Sequence, residues 1–171
     1  MLKSLDTVLF TFRTDTAFWQ VDHYHWMWPF CETAHFIGMA LLVGIVGVLD
    51  LRMLGVAKGL PVAPLQRLVP WAVLGFAINL VTGAIFVSSS PGNYASSWAF
   101  RFKMLFILTA GVNVLVFYVS GLARDIGNVG AGEDAPRSAK IVAVISLCMW
   151  LGVMFWGRML PYLLLGSSNA E

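Results

Sequence analysis

This chain has three histidines, His23, His25 and His35. All three lie within one stretch of thirteen residues. The same region carries sulfur in Met27, Cys31 and Met39. Imidazole nitrogen and sulfur are ligands that suit copper or haem iron. We therefore predict a cofactor site here for haem b or, alternatively, for copper, with His35, His25 and His23 as its ligands. His23 and His25 would point to different faces of a helix, so the three follow no tight metal-binding motif.

Four further side chains are candidates for the same site and are Glu32, Lys103, Arg158 and Tyr162. Glu32 lies three residues before His35, and Arg158 lies four before Tyr162, so each pair shares a helix face. In a haem site, Lys103 and Arg158 would bind the propionates through charge-assisted hydrogen bonds. The same cluster would also suit the wall of a half-open aqueous path.

The elements that position these residues are apolar stretches at about 29–50, 68–88, 102–121 and 141–165. With 58% hydrophobic and 12% charged residues, the chain is too apolar for a soluble globule of 18.8 kDa. Each stretch has the length that crosses a hydrocarbon core of about 30 Å. The stretches lack the alternation of barrel strands, and lipid offers the backbone no partners. The sequence therefore predicts an all-α integral membrane four-helix bundle.

Ionisable side chains inside such spans should find partners, because a charge at the centre of the bilayer costs at least about 2.5 kcal/mol. Arg158 lies roughly two turns below the end of the fourth span and is predicted to face inward. Glu32 is predicted to pair with Arg158 or Lys103. Glu32 and Lys103 also lie near helix ends, where reaching the interface is an equal alternative. In the second span, a stripe at helical spacing is predicted to face protein and consists of Gly75, Asn79, Thr82 and Phe86.

The first 28 residues mix apolar and charged side chains and end in a cluster of aromatic rings. Such rings prefer the headgroup level, so residues 1–28 are predicted to form an interfacial amphipathic helix. It would serve as an anchoring belt or as a lid over the site. The segment has no pattern of a cleavable signal. Residues 1–171 are therefore expected to form a single membrane domain.

Basic residues flank the spans unequally. The loops after the first and third spans contain Arg52, Lys58, Arg67, Arg124, Arg137 and Lys140. By the positive-inside tendency these loops are cytoplasmic and both termini lie outside, which places the candidate site in the outer half of the membrane. Since the basic residues are scattered, no nucleic-acid partner is expected.

Several motifs of the chain form one larger pattern, namely His35 to Gly44, Asp50 to Gly55, Phe102-Lys103, Asn113, Trp150, and Gly157-Arg158 with Tyr162. From Trp28 onward this pattern resembles a bacterial family of small four-helix inner-membrane proteins of unknown function. The resemblance implies the fold and the bacterial inner membrane, and implies no activity. In that membrane both termini, which the positive-inside tendency places outside, would be periplasmic. A histidine early in a span is also distantly similar to copper-resistance D membrane proteins and b-type membrane cytochromes. Those cytochromes place two histidine ligands on different spans, whereas here only His35 is inside one.

Three functions remain open. The first is a haem b or copper protein for membrane electron transfer or metal handling. A haem would take its second ligand from His25, His23, a methionine or a second subunit, or leave that position open. The second is a structural or accessory subunit of a homo-oligomer or larger membrane complex, whose polar cluster fixes helix packing. The third is a small proton-coupled carrier or channel that works as an oligomer. Catalytic motifs are not apparent, so any redox activity would come from a bound cofactor.

Overall fold

The computed structural model describes residues 26–89 and 91–168, with side chains described as far as Tyr162. This part of the chain contains α1 Met27–Leu54, α2 Val62–Gln66, α3 Val69–Ser89, α4 Pro91–Ser96, α5 Trp98–Val119, α6 Leu122–Gly127 and α7 Arg137–Ser168. Four segments are long and apolar enough to cross a membrane, and they are α1, α2 with α3, α5, and α7 as far as Tyr162. The predicted all-α membrane bundle is confirmed, and the chain is a multi-pass membrane protein. The predicted interfacial helix lies outside the described residues as far as position 25.

The first span continues beyond the boundary predicted at residue 50. Helix α1 runs to Leu54 and ends at Gly55, which adopts a left-handed φ of 94°. The N–H of Gly55 donates to the carbonyl oxygen of Arg52, and the N–H of Val56 donates to that of Leu51. This pair of bonds is a Schellman motif, which favours glycine because its positive φ is strained for other residues. Asp50 and Arg52, read from the sequence as the end of the span, are buried within the last turns of the helix.

The spans pack in the order α3, α1, α7, α5. Helix α1 packs against α3, α7 packs against α5, and α1 also contacts α7, whereas α3 and α5 barely touch. The bundle therefore consists of two helical hairpins joined mainly through α1 and α7. We call the side with the connections 55–68 and 120–136 the basic side, and the side with α4 and the start of α1 the terminal side.

Helices α1 and α3 approach closely at Gly38 and Gly75. A Cβ atom on Gly75 would lie 2.6 Å from the carbonyl oxygen of Gly38, and one on Gly38 would lie 2.8 Å from that of Gly75. Both contacts are with backbone atoms, which cannot move aside as a side chain can. Only glycine at both positions allows this separation of the two helices.

Arg52 joins the two connections of the basic side. Its side chain is fully buried. The Nε atom donates to the carbonyl oxygen of Leu60, and Nη2 donates to the carbonyl oxygens of Gly130 at 2.9 Å and Glu133 at 3.3 Å. Hydrogen bonds from a charged donor are among the stronger ones, so this arginine holds the two loops against the end of α1.

Asp134 adds an exposed ion-pair cluster beside this contact. Its carboxylate accepts hydrogen bonds from Lys58 at 2.9 Å and from Lys140 at 3.2 Å. The hydrogen bonds from Lys58 and Lys140 hold the pKa of Asp134 below its ordinary value. The cluster connects the loop after α1 with the start of α7.

Candidate functional site

His35 lies on the face of α1 that packs against α3, in the half of the bundle near the terminal side. Its ring is half-buried, and Nδ1 lies 2.7 Å from the hydroxyl oxygen of Thr82. The Thr82 hydroxyl in turn donates to the carbonyl oxygen of Ile78 at 2.7 Å. A carbonyl oxygen only accepts, so the single hydroxyl proton of Thr82 is used there. Thr82 must therefore accept from His35, and this network assigns the proton of a neutral ring to Nδ1. The Nε2 atom then carries the free lone pair.

Aromatic rings and a glycine surround the imidazole. The ring of Phe86 lies 5.5 Å from that of His35, edge to face, and the ring of Trp28 lies 4.9 Å from Phe86. A Cβ atom on Gly83 would come within 3.9 Å of Cε1 of His35. The predicted stripe on the second span therefore does face protein, since Gly75, Thr82 and Phe86 all contact α1.

Lys103 is the second candidate residue that the structure brings to this region. Its side chain is half-buried and packs on α7, where Nζ lies 3.5 Å from the position that a Cβ atom on Gly157 would take. Lys103, on α5, therefore lies in the same half of the bundle as His35.

Arg158, Tyr162 and Glu32 are placed differently from the prediction. Arg158 is exposed, with Nη2 donating to the Tyr162 hydroxyl at 3.4 Å and the guanidinium 5.7 Å from the centre of that ring. The prediction that Arg158 points into the bundle is wrong. At this depth, the residues of α7 that are buried inside the bundle are Val153 and Leu160. A long side chain with an aromatic neighbour on its own helix can lie along the surface instead.

The ion pair predicted for Glu32 with Arg158 or Lys103 is also not formed. Glu32 is exposed. Among the residues that the structure describes, the ion pairs are those of Asp134 on the basic side. Glu32 lies in the second turn of α1, where a carboxylate reaches the membrane interface without needing a partner.

The remaining predicted ligands, His23 and His25, lie outside the described residues. Within residues 26–89 and 91–162, no group of three or more His, Cys, Asp or Glu side chains is placed to hold a metal ion. The candidate site in this part of the chain therefore consists of His35, its support from Thr82, and Lys103.

A cavity of about 430 Å³ lies in the other half of the bundle, toward the basic side. Its walls come from residues 42–53 of α1, 66–76 of α2 and α3, 107–118 of α5, Ile126 of α6 and residues 142–150 of α7. It occupies the space between α3 and α5, the two spans that barely touch. Most of this lining is apolar.

The polar side chains of the cavity wall come from four helices, with Gln66 on α2 and Tyr118 on α5 among them. Ser146 is a hydrogen-bond partner of the Asp50 side chain, and Asn113 donates to the carbonyl oxygen of Val142 at 3.1 Å. Oδ2 of Asp50 and Nε1 of Trp150 are buried and have no hydrogen-bond partner among the described residues. Both atoms are enclosed by protein and are not accessible from the cavity.

The cavity was not predicted, because Asp50 was interpreted as the end of the first span. One signal was available. Asp50 lies four residues after Val46 and eight after Leu42, so it shares their helix face rather than ending the helix. No family model, curated protein or solved structure matches this chain.

Proposed function

We propose that this protein binds a metal-centred cofactor in the bacterial inner membrane, haem b in the first place and copper as the alternative, with His35 as ligand. The observation that carries the proposal is the hydrogen-bond chain from His35 through Thr82 to Ile78. Metal-ligating histidines generally donate their other ring N–H to an acceptor, which fixes the tautomer and the ring orientation. Here that arrangement leaves Nε2 as the ligand atom.

Lys103 supports the same proposal through its charge. An ammonium group near the ring suits the carboxylate of a haem propionate, which it would bind by a charge-assisted hydrogen bond. Arg158 lies at the surface and would reach a propionate only there. A second axial ligand would come from His25 or His23, from a methionine or from a second subunit. When bound, the cofactor would supply one-electron transfer or metal handling on the terminal side, with both termini periplasmic.

The accessory-subunit alternative has an observation of its own in its favour. The bond between His35 and Thr82 joins the same two helices that cross at Gly38 and Gly75. A polar bond between neighbouring spans stabilises packing without any ligand. The carrier alternative has less support, because Glu32 is exposed and does not line a path through the bundle.

An absorption spectrum and elemental analysis of the protein purified from membranes test the proposal. We expect a Soret band that changes on reduction or, for the alternative, bound copper, and we expect His35→Ala to lose either one. A protein with neither signal in both redox states contradicts the proposal and leaves the accessory role. Signals that persist in His35→Ala refute His35 as the ligand.

A matched pair of threonine variants tests the support of the ring. Thr82→Val removes the acceptor for Nδ1 and should weaken cofactor binding about 10-fold to 100-fold. Thr109→Val is the control, because the Thr109 hydroxyl bonds the carbonyl oxygen of Leu105 at 2.8 Å in the same way and is exposed on α5. Equal cofactor retention in the two variants would show that Thr82 does not orient a ligand.

A further inference from the structure

A second, polar pocket lies on the basic side, where the spans α3 and α5 end. We call it the mouth pocket, and its lining consists of Gln66, Val69, Tyr118, Ala123 and Arg124. Three of these residues, Gln66, Val69 and Tyr118, also line the apolar cavity, so the pocket and the cavity meet. Val69 is the first residue of α3, and Tyr118 is the last but one of α5. An apolar space between two spans therefore continues into a polar space at the level of their ends.

The cavity is closed at its basic end and open toward lipid. Nε2 of Gln66 donates to the carbonyl oxygen of Ala123 at 2.8 Å, which joins α2 to α6 between the ends of α3 and α5. Lower down, Val73 of α3 and Val114 of α5 line the cavity and are 60% and 43% exposed. A hydrocarbon chain can therefore enter between these two spans from the bilayer.

The mouth pocket offers hydrogen-bond donors that are not used within the protein. Arg124 lines the pocket and is exposed, and Arg67 directly follows the lining residue Gln66 and is exposed too. Among the described residues, neither guanidinium has a hydrogen bond or an ion pair, and the hydroxyl group of Tyr118 has no hydrogen bond. These groups are therefore free to bind an anion.

Acidic side chains do not occupy this place. The lining of the mouth pocket contains none. Asp125 follows Arg124 on α6 and is exposed, and the two form no ion pair. Asp134 is bound by two lysines, and the Glu133 carboxylate accepts a hydrogen bond from the N–H of Gly130 at 2.8 Å. The charge of Arg124 thus has no counterpart in the pocket.

We propose that the mouth pocket binds one phospholipid with an anionic headgroup, whose phosphate contacts Arg124 and Tyr118 and whose acyl chain lies in the cavity. A guanidinium group matches the oxygens of a phosphate with two parallel N–H donors, and a tyrosine hydroxyl group can donate a third bond. Basic pockets between spans suit acidic lipid headgroups. A helix of a second copy, about 10 Å across, is too wide for the cavity. The inference does not depend on His35 or on its cofactor.

The headgroup is tested with two lipids that share their acyl chains. The full chain in detergent micelles is mixed with equal amounts of dioleoylphosphatidylglycerol and dioleoylphosphatidylcholine, and the bound lipids are counted by native mass spectrometry. The anionic lipid should be bound at least about fivefold more often, the effect of about one basic residue at an anionic surface. Equal occupancy, or no lipid bound, overturns the proposal.

A soluble competitor distinguishes a lipid from a free phosphate compound. Glycerophosphoglycerol has the headgroup of phosphatidylglycerol and no acyl chains. In about a hundredfold excess it should leave the bound lipid in place, because the chain in the cavity contributes to binding. Displacement of the lipid by this compound would show that the pocket recognises a soluble phosphate, which overturns the assignment to a lipid.

A matched pair of arginine variants locates the headgroup. Arg124→Gln should reduce the preference for phosphatidylglycerol over phosphatidylcholine to about twofold or less. The control is Arg137→Gln, which removes the same charge from an exposed position on the basic side that does not line the pocket. A preference that survives in Arg124→Gln, or that falls equally in both variants, refutes Arg124 as the specific contact.

A filled cavity tests the place of the acyl chain. Gly111 lines the cavity, and a Cβ atom built there meets no atom within 4 Å, so the ring in Gly111→Phe should fill the space between the spans. We expect this variant to retain about tenfold less phosphatidylglycerol. Gly44→Phe is the control, because Gly44 has the same open surroundings and does not line the cavity. Unaltered retention in Gly111→Phe refutes the cavity as the site of the chain.

Discussion

Replacing Gly75 with alanine should weaken the whole bundle and the candidate site together. The added Cβ atom would lie 2.6 Å from the carbonyl oxygen of Gly38, whereas ordinary van der Waals contact begins at 3.4 Å. Helices α1 and α3 must therefore separate locally by about 0.8 Å to accept the methyl group. Overpacking of this kind costs about 1–3 kcal/mol of unfolding free energy.

The same separation would reach the bond between His35 and Thr82, which joins the two helices nearby. Lengthening it from 2.7 Å by a similar amount brings it to the limit of a hydrogen bond and removes about 0.5–1.5 kcal/mol. The sum for Gly75→Ala is a loss of about 1.5–4.5 kcal/mol. Gly44→Ala on α1 is the matched control, because its Cβ atom would meet no atom within 4 Å.

Reversible unfolding by sodium dodecyl sulfate in mixed micelles measures both variants, with tryptophan fluorescence as the signal. Gly44→Ala should unfold at the wild-type midpoint or slightly above it, and Gly75→Ala well below it. If the two variants unfold at the same detergent fraction, the close approach of α1 and α3 at Gly75 is not a determinant of stability. The reasoning about His35 would then lose its structural basis as well.

Two predictions concern the basic side. Arg52→Leu leaves three loop carbonyl oxygens without their charged donor, so it should lower the unfolding free energy by about 2–4 kcal/mol. Limited proteolysis should then cut the 128–136 loop faster than in the wild type. An unchanged rate of cleavage would refute the role of Arg52. Because hydrogen bonds from Lys58 and Lys140 lower the pKa of Asp134, its contribution to stability is present above the ordinary carboxyl pKa. That contribution is lost as the pH falls through the lowered pKa of Asp134. The unfolding free energy of Asp134→Asn should therefore fall less with acid than that of the wild type, as measured by detergent titrations at several pH values. If the unfolding free energy of Asp134→Asn depends on pH as that of the wild type does, Asp134 does not stabilise the fold through these two hydrogen bonds.

Hydropathy alone is enough to predict the number of spans and the class of fold, because burial in lipid requires long apolar helices whatever their mutual arrangement. The ends of the spans are less predictable. A charge is normally read as the end of a span, yet the helix continues through Asp50 and Arg52 because each finds partners inside the protein. Most of those partners, namely Ser146 and the carbonyl oxygens of Gly130 and Glu133, come from far along the chain.

The part of the candidate site that could be predicted is the part that helical periodicity determines, namely which residues share a face of a helix. The spacing of Gly75, Thr82 and Phe86 places them on one face, and that face packs against protein as predicted. Its contact with His35 was not predicted. The direction of Arg158 was not predictable, because its depth in α7 does not determine which side of the helix points inward. The cavity was not predictable either, since it results from the order α3, α1, α7, α5, which no single span encodes.

The order of the spans also has a consequence for how the chain is assembled. The two tight helix pairs, α1 with α3 and α5 with α7, are each consecutive spans in the sequence. Distant parts of the chain are joined by the contact of α1 with α7 and by the connections of the basic side, where α2 contacts α6. During synthesis the first hairpin can close before the second has left the ribosome, and local contacts of this kind form quickly. A gene divided at the connection between α3 and α5 should therefore yield two fragments that insert separately and associate in the membrane into the complete bundle.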